Sequence, residues 1–214
     1  MSLEIPTPRR SVLAVALVAA SLLGACAPVL IGGAAVGGAM VASDRRTAGT
    51  QVEDQAIEVK AGNVVGELLG DRAHVNVTSY NLMVLLTGEV PTEADKARVE
   101  KSVAQIEHVR SIVNDLAVMP NSSLSGRSND SIITGQVKAE FVGASELSAN
   151  AIKVVTERGV VFLMGRVTEP EAKRAVELTR SVRGVQKVVR VFEIISAAEL
   201  AATQPGAPAS AAKQ

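Results

Sequence analysis

VNVTSYNLMVLLTGEV, residues 75–90, and IKVVTERGVVFLMGRV, residues 152–167, stand 77 positions apart in the chain and decide its fold. Identities at Val77/Val154, Val84/Val161, Leu86/Leu163, Gly88/Gly165 and Val90/Val167 mark two copies of one unit. Each copy has an alternating or all-apolar run, a break, and a second run that ends at glycine. That is the pattern of two strands in a hairpin, with Arg158-Gly159 supplying the second copy's turn. Gly88 and Gly165 mark a bend or a close backbone approach where each second strand ends.

Outward from the hairpins, Thr168-Glu169-Pro170-Glu171 reads as a capping box with proline in the first turn, opening a helix to about Ser181. Thr92-Glu93-Ala94-Asp95 opens its counterpart, to about Ile106. Valine-rich strands follow at 108–114 and 184–190. Ahead of each hairpin lies one more helix. The first spans about Asp54 to Leu69, with Ile57, Ala61, Val64 or Val65, and Leu68 as its apolar stripe; the second starts at Asp130, with Ile133, Val137 and Phe141. The fold expected is α+β: two small αββαβ domains in tandem, each a three-stranded mixed sheet packed against two helices. At about 65 residues each is near the lower limit for a core that folds alone. With 2% aromatic residues and no Trp, these cores rest on Val, Ile, Leu and Ala. The expected segments are domains at 52–118 and 128–196, a Ser- and Asn-rich linker at 119–127, and a disordered Ala-, Pro- and Gln-containing tail at 197–214.

The N-terminal region has a different composition. Arg9 and Arg10 precede an uncharged run from Ser11 to Leu23, and then Leu23-Gly24-Ala25-Cys26. A basic start, an apolar stretch and small residues before a cut are the parts of a secretory signal. Cys26 is the only thiol, so no disulfide can form within the chain. The four residues resemble the lipobox of bacterial lipoproteins, which implies cleavage after residue 25 and acylation of Cys26. The bland alternative is a small residue inside a signal peptide or membrane helix. Two or three acyl chains hold a protein on a bilayer almost permanently. Such lipoproteins are retained at the inner membrane by Asp after the cysteine; Ala27 here implies the outer membrane, on its periplasmic face. Residues 26–51 form the expected tether. A spanning helix could be drawn through its uncharged part, but Pro28, Gly32-Gly33 and Gly37-Gly38 argue against one. The spacing in Gly33-Ala34-Ala35-Val36-Gly37 suits a short surface helix or a flexible tether.

The repeated unit resembles the BON domain. The second copy carries that family's opening Asp-x-x-Ile at 130–133, its Gly-Val-Val-x-Leu-x-Gly hairpin at 159–165 and its Gly-Val-x-x-Val closing strand at 184–188. The first copy departs from it: Leu82 replaces the turn glycine and His108 the glycine before Val109. A lipobox, a small-residue segment and two BON copies together are similar to dual-BON outer-membrane lipoproteins. The resemblance implies binding of anionic phospholipid and a role in envelope integrity.

Charge fits a membrane surface only in part. After residue 25 is cut away the net charge is −1, which gives no pull toward nucleic acid. Residues 52–118 carry −5 and residues 128–196 carry +2, so only the second unit suits an anionic surface. On the helix from Asp130 to Val142, a second face holds Ile132, Gly135, Ala139 and Val142, with Lys138 beside it. Such a face fits shallow insertion at a bilayer; its alternative use is packing on the first domain or the linker. The resemblance assigns lipid contact to this helix, with Ile132 where the family often carries Trp.

Enzyme chemistry finds no support: His74 and His108 have no cysteine partner, and no metal motif, Walker loop or nucleophile elbow appears. No catalytic residue, metal or cofactor is expected. The expected partner is an anionic phospholipid membrane, bound through the second unit, with the first as spacer or protein-docking module. The rival is a non-catalytic scaffold that docks envelope proteins through strand edges or its acidic first unit, its anchor serving only as address.

Overall fold

The computed structural model describes residues 44–202. Cys26, the expected signal peptide, residues 26–43 of the tether and the tail beyond 202 lie outside the described residues.

Thr47 starts the first folded unit: its hydroxyl accepts from the Thr50 N–H at 3.1 Å and opens helix α1, Ala48–Leu69. The helix therefore begins six residues before the expected Asp54, inside the segment expected as tether, because Thr47 caps it there. After a short 3₁₀ turn come β1 (His74–Tyr80), β2 (Met83–Val90), α2 (Glu93–Val103), β3 (Ser111–Asn114) and β4 (Ala117–Val118). The second unit repeats this as α3 (Leu124–Gly143), β5 (Ile152–Glu157), β6 (Val160–Val167), α4 (Glu169–Ser181) and β7 (Lys187–Ile194). Ser123 caps α3 inside the segment expected as linker, so residues 124–127 are helical. A last helix, α5 (Ala197–Ala202), stands where a disordered tail was expected.

Both hairpins form as expected, β1 with β2 and β5 with β6. The crossover helices α2 and α4 then return the chain to run parallel to β2 and β6, which makes each sheet mixed with its second strand central. The capping box forms at Thr168, where Glu171 accepts from the Thr168 N–H and hydroxyl, each at 2.8 Å. In the second domain β7 pairs along its whole length from Lys187 to Ile194. The first domain's third strand is split into β3 and β4, although both keep the same register on β2. The close approaches at the two glycines are real. A Cβ at Gly88 would lie 2.0 Å from the His74 carbonyl oxygen, and one at Gly165 2.5 Å from that of Ala151.

Each sheet packs its helices on one face. Ile57, Ala61, Val65 and Leu69 of α1 meet Val84, Leu86 and Val90; the stripe ends on Leu69, with the expected Leu68 partly buried against the same core. Ile133, Val137 and Phe141 of α3 meet Val154, Val161 and Leu163. The other faces of the two sheets pack on each other through Tyr80, Leu85, Phe162, Met164 and Val191. Central strands β2 and β6 are thus covered on both sides and are buried nearly throughout. Among the described residues no helix is long and apolar enough to cross a membrane.

Candidate functional site

Helix α3 turns Asp130, Ile133, Val137 and Phe141 inward. Residues between those positions must then face outward, and they do. Ile132, Gly135, Lys138, Ala139 and Val142 are all exposed, Ile132 by 59% and Val142 by 76%. The five expected residues share one open face, and neither the first domain nor the linker covers it. A Cβ at Gly135 would meet nothing within 4 Å. Contiguous apolar surface rimmed by polar groups is the kind that marks protein or membrane interaction sites. Lys138 enters no ion pair among the described residues.

The helix is fixed to its hairpin by Asp130, whose carboxylate accepts from the backbone N–H groups of Arg158 and Gly159, both at 2.8 Å. Asp54 does the same on α1. It is 2% exposed and accepts from the Ser79 hydroxyl at 2.6 Å and from the N–H groups of Asn81 and Leu82, each at 2.8 Å. The opening aspartate of each repeat is therefore a buried turn cap.

Around the sheet-to-sheet core runs a polar rim. Arg45 forks onto Glu171 at 2.6 and 3.0 Å and donates to the Arg166 carbonyl at 2.8 Å. Arg46 pairs with Asp44 and Asp54, each at 2.7 Å, and its guanidinium lies 4.2 Å above the Tyr80 ring. Burial, reinforced by Asp44, pushes the Tyr80 hydroxyl up to about 12, and it donates to the Ala151 carbonyl. Residues 44–46, which fall within the expected tether, thus clasp both domains. Across the rim Lys153 reaches Glu58 at 2.7 Å, and Arg158 reaches Glu89 at 2.9 Å. Asn81, Arg110 and Arg166 converge on Glu193.

His74, Glu89 and Glu157 offer donor atoms within 4.8 Å of one another, a set whose chemistry could hold a metal ion. Protein groups already engage them: Arg158, His74 and the Ser122 N–H bond Glu89, and Asn76 bonds Glu157. Burial pulls Glu89 upward, but those three donors outweigh it and hold its carboxyl below the usual range. Glu157 meets one amide, and burial raises it. His108 sits on the surface, 2.8 Å from Glu53.

A cavity of about 300 Å³ opens beside the α3 face. Lys138 and Val142 form one wall, Arg46 and Tyr80 another, and Asn150, Ile152 and Lys153 the third. Arg46, Tyr80 and Lys153 escaped the sequence reading because they converge only when the two sheets pack together. The one available signal was a lysine inside the otherwise apolar strand 152–155.

Residues 53–120 and 129–196 each match the BON domain. The chain is 38% identical over 185 residues to "Outer membrane lipoprotein DolP" of Haemophilus influenzae, covering 86% of this chain and 95% of that one. It is 36% identical over 154 residues to "21 kDa hemolysin" of Actinobacillus pleuropneumoniae, covering 71% and 79%. It is also 28% identical over 159 residues to "Osmotically-inducible protein Y" of Escherichia coli, covering 71% and 77%.

Proposed function

From the premise that this chain belongs to the BON-domain family, as a dual-BON outer-membrane lipoprotein of the DolP kind, we propose that it binds anionic phospholipid through α3 and thereby supports envelope integrity. Acylated Cys26 holds it on the periplasmic face of the outer membrane. Ile132 and Val142 then enter the headgroup layer, Gly135 and Ala139 let the helix lie close, and Lys138 meets lipid charge. The observation that carries this reading is the open apolar face of α3, with Ile132 and Val142 exposed by 59% and 76% on a helix whose other side is core. The chain acts by binding rather than by catalysis.

Co-sedimentation of the full chain carrying Cys26→Ser with neutral and with anionic vesicles tests the proposal. Wild-type α3 should pellet with anionic vesicles, and Ile132→Glu should remove that binding. The reading fails if the chain does not bind vesicles at low salt, or if Ile132→Glu binds as wild type.

One observation favours the scaffold reading instead. A groove of about 570 Å³ lies between α2 and the edge strand β3, lined by Ala97, Lys101, Val109 and Ile112 among others. An extended segment of a partner could add to that edge. Under this reading the Cys26→Ser chain binds no vesicle, and substitutions along β3 remove capture of envelope proteins.

A further inference from the structure

The geometry points to the cavity at the domain seam as a pocket for the phosphate of a lipid headgroup, built jointly by both domains and the arm at 44–46. This rests on the reading of α3 as the lipid face and adds to it the place where the head is held. Three cations, Arg46, Lys138 and Lys153, line a space of about 300 Å³, and among the described residues no carboxylate lines it. Asp44, Asp54 and Glu58 pair with Arg46 and Lys153 from outside that wall. They fix the two cations in place on the lining of the cavity. Lys138, with no ion pair among the described residues, is the cation with charge to spare.

The apolar lining gives the occupant its direction. Val142 stands beside Lys138 and Ile152 beside Lys153 in the lining, and Val142 also belongs to the exposed face that runs back to Ile132. A phosphodiester in the cavity would therefore have acyl chains leaving along α3, which suits an amphiphile better than a free phosphate. Fixed cations cost little ordering on binding, which favours affinity. The pocket also assigns the first domain a part that a spacer would not have. Arg46 and Tyr80 come from the first unit, and Lys153 is held by Glu58 and the Ser79 carbonyl of that unit.

The test uses the full chain with Cys26→Ser, vesicles of phosphatidylcholine with and without phosphatidylglycerol, and soluble glycerol phosphate. Asn150→Asp places a negative charge in the wall without a change of shape, and Lys153→Gln removes a positive one. Each should weaken binding to phosphatidylglycerol vesicles by about fivefold, with Lys173→Gln on the exposed side of α4 as a control for overall charge. If neither pocket variant loses more than Lys173→Gln, the pocket is overturned, even where Ile132→Glu still abolishes binding and the α3 reading stands. If the pocket variants weaken binding while Ile132→Glu does not, the pocket is supported and the α3 reading fails. Soluble glycerol phosphate that binds as tightly as the vesicle lipid would overturn the lipid as the occupant. Because Lys153→Gln also breaks the Glu58 pair, Asn150→Asp decides if the former unfolds.

Discussion

At its hairpin turn the first domain places Asn81 and Leu82 at φ of 51° and 67°, and the second places Arg158 and Gly159 at 52° and 72°. The backbones coincide, but only one uses glycine where a left-handed conformation favours it. His108 at 69° and Gly184 at 94° repeat the contrast after the crossover helix. The first domain makes up the difference with more support. Asp54 takes three donors from the hairpin and a fourth from Arg46, whereas Asp130 takes two. The lesson is that duplication preserved a backbone while the means of holding it diverged. The first domain leans on a buried carboxylate and on the arm; the second leans on glycine.

The largest effect should come from removing that support. Asp54→Ala leaves the Ser79 hydroxyl and two backbone N–H groups without their acceptor in a buried place and takes from Arg46 one of its two carboxylate partners. A loss of about 4 kcal/mol is expected. Asp130→Ala strands two N–H groups at a turn that glycine already favours, and about 2 kcal/mol is expected. Urea unfolding of both variants checks the pair, and equal losses would break the comparison.

Exchanging residues at the second left-handed position comes next. Gly184→Ala brings a Cβ to 3.1 Å from the Ile133 side chain in a disfavoured conformation, and about 2 kcal/mol should be lost. His108→Gly should move the other way and raise the urea midpoint, since the exposed pair with Glu53 that it gives up contributes little. A fall in the midpoint would show that His108 is held for a reason other than backbone.

A third contrast lies on the opening helices. By their buried aspartates, Asp54 and Asp130, the positions Ile132, Lys138 and Val142 of α3 correspond to Ala56, Gly62 and Gly66 of α1. Side chains at Gly62 and Gly66 would meet nothing within 4 Å. Gly62→Lys should therefore stabilise the chain by about 0.5 kcal/mol through helix propensity alone. With Ala56→Ile and Gly66→Val added, the first helix should gain affinity for anionic vesicles in a chain whose own face is blocked by Ile132→Glu. No gain would show that the cation and two apolar ends do not suffice without the seam beside them.

What the sequence revealed and what it hid divide along physical lines. Hairpins, capping threonines and the α3 face are local patterns, set by periods of two and 3.6 residues, and they were legible at Val84 to Val90, Thr168 to Glu171 and Ile132 to Val142. The packing of sheet on sheet left a fainter trace, the continuous apolar run Val160-Val161-Phe162-Leu163-Met164, which reads equally as one strand buried on both faces or one buried under helices alone. Residues whose partners lie far along the chain gave none. Arg45 and Glu171, 126 positions apart, meet only in the folded molecule.

The finest test of the two-domain contrast is its response to pH, because Glu89 and Glu157 stand at the same seam with opposite shifts. Glu89 is fully buried yet held below the usual carboxylate range by the Ser122 N–H, Arg158 and His74, which outweigh desolvation. Its stabilising contribution is therefore present above the unfolded carboxylate pKa, about 4.3, and is lost as pH falls through the lower folded value. Glu157 is raised, first by burial and further by the neighbouring Glu89 charge, with Asn76, His74 and Arg158 opposing. Its contribution is fully present below the unfolded value and is lost as pH rises through the folded one. Glu157→Gln should consequently match the wild type near pH 4 and exceed it in thermal stability at neutral pH. Glu89→Gln should do the reverse, falling below the wild type at neutral pH and approaching it in acid. Melting curves of both variants from pH 4 to 8 separate the two, and parallel profiles would mean that the seam treats its two carboxylates alike.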